Sequence, residues 1–172
     1  MPGTGFRRRQ TAIAKALGRL AADLVALQEI FFEREARELA VASTLPHAFH
    51  ARRVGTVAGG LVLLSRLTLS DAAFIPFQEQ GSLLRFSFLA RLNRKGFIFA
   101  RWIDPKLGII TTHLLSNFHE RFDAGPYAVW QERQIDQLVD FIAGQDPALP
   151  LLVVGDFNVP PWTSAYRRFQ AA

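Results

Sequence analysis

Two short apolar runs, each closed by a carboxylate, constrain this chain more than any other feature. Leu24-Val25-Ala26-Leu27 leads into Gln28-Glu29, and Leu151-Leu152-Val153-Val154 leads into Gly155-Asp156-Phe157-Asn158. Short runs this apolar, with branched side chains, suit strands buried on both faces, as in an α/β fold. An acid at the tip of such a strand sits against a low-dielectric interior, where its charge is costly unless paired or bound to a cation. Folds of this class carry their chemistry at the carboxyl ends of strands, so two acidic tips predict one shared site. Taken singly, each acid also has a plainer role: Glu29 as a cap of the next helix, and Asp156 as the turn partner of Asn158.

The rest of the pattern supplies the layers. Ile13, Leu17, Leu20 and Leu24 recur at helical spacing and predict a helix that ends near Asp23. A second helix is expected from residue 31 to about 42, with a Glu33–Arg37 pair one turn apart. Short β segments follow at 60–64, 72–77, 83–92, 96–103 and 107–114, with turns at 93–96 and 104–108 that read as an antiparallel meander. Beyond a polar loop containing His119, Gly125 and Pro126, a helix is predicted over 127–143, with Ile135, Leu138, Val139 and Ile142 as its apolar stripe and Gly144 as its stop. Helices outside apolar strands, with a meander between, give an α/β sandwich. His113, in ITTHLL, closes a third apolar strand. Alone it reads as a hydrogen-bonded core histidine; with Glu29, Asp156 and Asn158 on neighbouring tips, one sheet edge can gather all four around a phosphate.

Composition narrows the chemistry. With 172 residues, 49% of them hydrophobic, the chain is expected to form one domain with a substantial core. Cysteine is absent, which excludes disulfides, thiolate zinc sites, a cysteine nucleophile and an iron–sulfur cluster. Carboxylate oxygens without thiolates favour a hard ion such as Mg²⁺ over zinc. No apolar run approaches the roughly 18 residues that cross a bilayer. Lys15, Arg19 and Asp23 interrupt the N-terminal segment, so it reads as a helix and not as a signal peptide. With Met1 as the start, a cytoplasmic location is expected. Twenty Lys and Arg against 15 Asp and Glu give a net charge of +5, gathered at Arg7–Arg9, Arg52–Arg53, Arg91–Lys95 and Arg167–Arg168. Such a surface attracts phosphate-bearing partners, although any single cluster reads first as solvated arginines.

The order LQE (27–29), GGLVLLSR (59–66), TTHL (111–114), ERQ (132–134) and VGDFN (154–158) resembles the endonuclease/exonuclease/phosphatase superfamily. That is the group of DNase I, AP endonucleases, inositol polyphosphate 5-phosphatases and neutral sphingomyelinases. The resemblance runs from about Asp23 to Phe169. It implies a DNase I-like α/β fold, a two-sheet sandwich with outer helices, and a metal-dependent phosphoester hydrolase. Glu29 is then the carboxylate that binds Mg²⁺, with Mn²⁺ as an alternative. Asp156 orients or deprotonates the attacking water, Asn158 donates a hydrogen bond to the phosphate, and His113 contacts it as an imidazolium or an N–H donor. Gln28, Ser65 and Arg66 are supporting residues, while Glu132, Arg133 and Gln134 are structural. The THL form, followed by a long loop, is closer to the DNase-like, sphingomyelinase-like and phosphatase-like branches than to AP endonucleases. Both nucleic acid and a phospholipid or inositol phosphate headgroup stay open as substrates.

Two elements of the family pattern have no counterpart in the sequence. The family opens on a strand ending in a metal-binding Asn and closes on a Ser-Asp-His whose histidine is the general acid or base; the four histidines here, His47, His50, His113 and His119, all precede GDFN. The expectation is therefore an incomplete sandwich, a single partial domain over 1–172 with impaired activity and open apolar strand edges. The competing expectation is a non-catalytic module that only binds phosphate-bearing ligands.

Overall fold

The computed structural model describes residues 4–53, 55–82, 94–117 and 122–171. The expected strand at 83–92, the first residue of the turn at 93–96, and His119 lie outside them. The chain runs α1 (Thr4–Leu17), β1 (Leu24–Leu27), α2 (Glu33–Ser43), β2 (His47–Phe49), β3 (Arg52–Arg53), β4 (Thr56–Val57), a 3-10 turn (Ala58–Gly60), β5 (Val62–Ser65), β6 (Ser70–Pro76), β7 (Gly96–Trp102), β8 (Leu107–His113), α3 (Pro126–Ala143), β9 (Leu151–Asp156) and α4 (Ser164–Gln170).

Leu61-Val62-Leu63-Leu64 is apolar on both sides, and the fold uses both. Leu61 and Leu63 pack with Ile98, Ala100 and Ile109 of the other sheet, which forms the seam of a sandwich. Val62 and Leu64 turn the other way, into a cluster with Leu17, Ala36 and Leu39 of α1 and α2. The second sheet repeats the arrangement: Phe97, Phe99 and Ile110 meet Ile135 and Leu138 of α3 and Ala165 of α4. Each fully buried side chain of this kind contributes about 1.5–3 kcal/mol. The result is helices, sheet, sheet, helices, the α/β sandwich that the sequence implies.

One sheet has the order β1-β5-β2 and the other β6-β7-β8-β9, while β3 and β4 form a separate two-stranded ribbon. The meander β6-β7-β8 is antiparallel, as expected, but the segment expected at 60–64 does not join it: as β5 it pairs with β1 and β2 in the other sheet. β9 then returns through α3 to lie parallel to β8. Among the described residues, β1 pairs only with β5 and β9 only with β8, so each is an edge strand. No helix among them is long and apolar enough to cross a membrane.

Three differences from the sequence reading have local causes. α1 stops at Leu17 and not near Asp23, because Gly18 passes so close to α2 that a Cβ there would lie 2.9 Å from the Ala42 carbonyl oxygen. Leu20, which extended the helical pattern, is consequently 54% exposed. α2 begins at Glu33 with Phe32 as its N-cap, so Glu29 does not cap it. α4, absent from the expectation, is a single short helix whose N-cap Thr163 accepts a hydrogen bond from the Tyr166 N–H.

Candidate active site

β8 and β9 run parallel and in register, so their carboxyl ends finish side by side and His113 pairs with Asp156. The register needs Gly155, whose φ is 143° and at which any Cβ would run into the backbone of Thr112. His113 is 2% exposed. Its Nε2 lies 3.9 Å from Asp156 Oδ2, and its Nδ1 has no hydrogen-bond partner among the described residues. Burial first, and the charge of Lys95 second, pull its pKa down to about 4 against the opposing effect of Asp156. At neutral pH the ring is therefore neutral, which favours the N–H donor over the imidazolium.

Asp156 and Asn158 form the turn that their spacing allows, and the turn also builds the site. Asp156 Oδ1 accepts the Asn158 N–H at 3.0 Å, and the Asp156 carbonyl accepts the Leu114 N–H at 3.0 Å. Asn158 Nδ2 commits one hydrogen to the Leu114 carbonyl at 3.1 Å. Beneath this turn two buried glutamines of α3 act as struts. Gln131 Nε2 donates to the carbonyls of Leu115 and Asn158 at 2.6 and 2.8 Å. Gln134 accepts from the Leu115 N–H at 2.9 Å and donates to the Glu79 carbonyl at 2.8 Å. Gln134 thus has the structural part expected of it, joined by Arg133, which pairs with Glu79 at 2.9 Å, and by Glu132, which accepts from Ser164 at 3.2 Å. Gln131 escaped the sequence reading, since a polar residue on a helix face gives no sign that it turns inward.

The other wall comes from β1. Glu29 follows its last strand residues with φ 61°, and Asn158 has φ 51°. Such a conformation costs a side-chain-bearing residue about 1–3 kcal/mol and persists where the surroundings over-determine it, commonly at functional sites. The Ile30 N–H donates to the Gly60 carbonyl at 3.0 Å, and a Cβ on Gly60 would sit 3.4 Å from Glu29 Cα. Gln28 lines a groove of about 340 Å³ between β1 and β9, with Leu24, Ala26, Leu152, Val154 and Gly155. Glu29, His113, Asp156 and Asn158 are thereby brought to one end of the sandwich.

Ser65 and Arg66 are not. β5 is antiparallel to β1, so Ser65 pairs with Leu24, at the opposite end of β1 from Glu29. There Ser65 Oγ accepts from Trp102 Nε1 at 2.8 Å, joining the two sheets, and Arg66 pairs with Asp23 at 2.6 Å. Their support is to the sandwich and not to the strand tips.

Lys95, missed because it ends a run that reads as solvated charge, belongs to the tips. Burial lowers its pKa to about 8 against the charges of Glu29 and Asp156, which raise it, so it remains a cation at pH 7. Among the described residues no three His, Asp or Glu side chains gather as a complete metal cage.

The search of curated proteins by sequence found no match. Solved structures share the fold. Sphingomyelinase C from Streptomyces griseocarneus aligns with a TM-score of 0.73 at 22% identity, covering 98% of this chain and 65% of that one. A double mutant of beta toxin from Staphylococcus aureus with bound magnesium ions aligns at 0.74 and 18%, covering 94% and 62%. TDP2 from D. rerio, complexed with a single-strand DNA product, aligns at 0.70 and 14%, covering 98% and 60%. This chain thus spans under two thirds of the length of each, and at these identities the likeness is one of fold. The family model described as Endonuclease/Exonuclease/phosphatase family matches residues 1–172, and the chain belongs to that family.

Proposed function

We propose that the strand tips form the centre of a Mg²⁺-dependent phosphodiesterase acting on a nucleic acid or on a phospholipid or inositol phosphate headgroup. The observation that carries this reading is the convergence of Glu29, His113, Asp156 and Asn158 at one end of the sandwich. Membership of the family and the fold shared with a sphingomyelinase and a DNA-bound TDP2 support it.

The donor set fits a hard divalent ion. Mg²⁺ is commonly held by one or two carboxylates, with water and phosphate oxygens completing the shell, and a carboxylate at the strand tips meets that need. Glu29 would hold it, and when bound it supplies positive charge to a phosphoryl oxygen. Asp156, which already accepts the Asn158 N–H through Oδ1, keeps Oδ2 to align a water and take its proton. Asn158 has one amide hydrogen left for a phosphate oxygen, and neutral His113 donates N–H to the same group. The water oxygen bonds to phosphorus as the P–O bond to the alcohol breaks, and the leaving oxygen takes its proton from solvent. None of the other histidines within the described residues reaches the tips: His47 pairs with Ser65 at the far end, and His50 lies beside Glu33 and Arg52. Among the described residues no second imidazole is placed to protonate the leaving oxygen, and a site working without one is expected to turn over roughly 10²–10⁴ more slowly than one with it.

The test is hydrolysis of bis(p-nitrophenyl) phosphate by purified protein with and without Mg²⁺. Slow, Mg²⁺-dependent turnover is expected, reduced at least about 10²-fold by Glu29→Gln or Asp156→Asn with unchanged circular dichroism. Turnover unaffected by either substitution sinks the assignment. Phosphate binding without turnover identifies a binding module instead.

A further inference from the structure

We propose that Lys95 binds the phosphate group at the strand tips, as a fixed cation placed between the two carboxylate-bearing strands. The identity of the ligand rests on the phosphoester reading above; the placement of the lysine does not.

A chain of close backbone approaches sets that placement. Gly60 lies against Glu29, and a Cβ on Gly59 would sit 3.4 Å from the Arg94 carbonyl oxygen, so the two glycines bring the residues before β7 up to the end of β1. Both have positive φ, 64° and 65°, and at Gly59 a Cβ would also meet the Phe74 ring at 2.7 Å. A side chain at either position would be strained by that φ and, at Gly59, would also have to displace the Phe74 ring. On the other side, Gly96 follows Lys95 and its carbonyl accepts from Thr112 Oγ1 at 3.2 Å, one residue before His113. Lys95 therefore stands where the ends of β1, β8 and β9 meet, and its charge acts on Glu29, Asp156 and His113.

The backbone of Lys95 is held from both sides. Its N–H donates to Gln80 Oε1 at 2.8 Å, and its carbonyl accepts from the Phe77 N–H and from Gln80 Nε2, both at 2.9 Å. The position is thus built, unlike an arginine on a free surface. The half-buried ammonium nevertheless makes no ion pair within 4.0 Å among the described residues, whereas Arg66, Arg133 and Arg168 are each paired. A partly desolvated charge left without a contact partner is costly, and a phosphate oxygen would offset that cost.

Charge balance points the same way. Glu29, Asp156 and a phosphodiester anion bring three negative charges to the strand tips, whose two carboxylates are open to solvent, and His113 brings none. A divalent ion leaves one of the three uncompensated, and the Lys95 ammonium matches it.

The experiment is calorimetric titration of the full chain with inorganic phosphate at fixed Mg²⁺, comparing the parent protein, Lys95→Met and Lys95→Arg, together with Mg²⁺ titration in the absence of phosphate. Losing one charge-assisted contact should weaken phosphate binding about 10- to 100-fold in Lys95→Met, with partial recovery in Lys95→Arg. A lysine that only neutralises the carboxylates predicts the reverse: tighter Mg²⁺ binding in Lys95→Met and unchanged phosphate affinity. That result, or a parent protein that binds no phosphate, overturns the proposal. Thermal melts check folding, and Lys95→Gln replaces the methionine variant if that one fails to fold. Failure of the hydrolase reading is seen separately, as absent turnover of bis(p-nitrophenyl) phosphate by a parent protein whose phosphate binding still depends on Lys95.

Discussion

His113 shows how far one residue's surroundings can set its chemistry. Burial, reinforced by Lys95, keeps its ring neutral down to about pH 4, while in the unfolded chain it protonates near 6.5. Between those values the unfolded state binds a proton that the folded state refuses, so stability rises with pH across the window. The contribution is complete above about pH 6.5 and is lost as pH falls towards 4, to a limit of roughly 3 kcal/mol. Urea denaturation at pH 7 and pH 4.5 should show a larger loss for the parent protein than for His113→Gln, which cannot protonate; equal losses would contradict the neutral assignment. Glu29, His113 and Asp156 were legible in the sequence because each ends an apolar run. Lys95 was not, since four of the five residues from Arg91 to Lys95 are polar or charged and nothing in the run shows which one packs inward. Ser65 and Arg66 looked like site residues from motif order alone; the antiparallel register of β5, which sequence does not display, carries them to the far end.

At the scale of the element, one backbone position aligns two strands. Gly155 lets β9 lie against Thr112, and the in-register pair His113–Asp156 depends on that contact. A Gly155→Ala substitution faces both an unfavourable φ and a clash with strand backbone, which flexible side chains cannot relieve. The expected cost is about 2–4 kcal/mol in denaturant unfolding, with a loss of turnover greater than the fraction unfolded, because Asp156 moves off the row. Full stability with intact turnover would show that the register is set elsewhere. Gln134→Ala tests the strut on the neighbouring helix: it strands the Leu115 N–H and the Glu79 carbonyl, and about 2–4 kcal/mol should be lost, whereas an exposed glutamine would cost almost nothing. The longer elements, α3, β7, β8 and β9, were visible from their periodicity and their glycine or proline boundaries. β2, β3 and β4 are two or three residues each and α4 is seven, too short for a period to repeat.

Across the whole molecule, the two sheets present their edge strands β1 and β9 to each other at one side of the sandwich, with the apolar groove between them. Alternation explains why the groove is apolar. Leu151 and Val153 pack into the cluster beneath α3, so Leu152 and Val154 must face the seam, where β1 contributes Leu24 and Ala26. The character changes along this side: Glu29 and Asp156 stand at the tips, and the groove below them is lined by uncharged side chains. Edge strands with free N–H and C=O groups beside exposed apolar side chains favour pairing with another chain, and Leu152, 38% exposed, is the most open apolar member of β9. The net charge of +5 opposes close approach of two copies at low salt, and added salt screens that repulsion. Association should therefore grow with ionic strength, and Leu152→Lys should suppress it by placing a charge in the groove. Sedimentation velocity at low and high salt reads both effects. A parent protein and a Leu152→Lys variant with the same sedimentation behaviour at every salt concentration would show that β1 and β9 are not sticky edges, despite their pairing pattern.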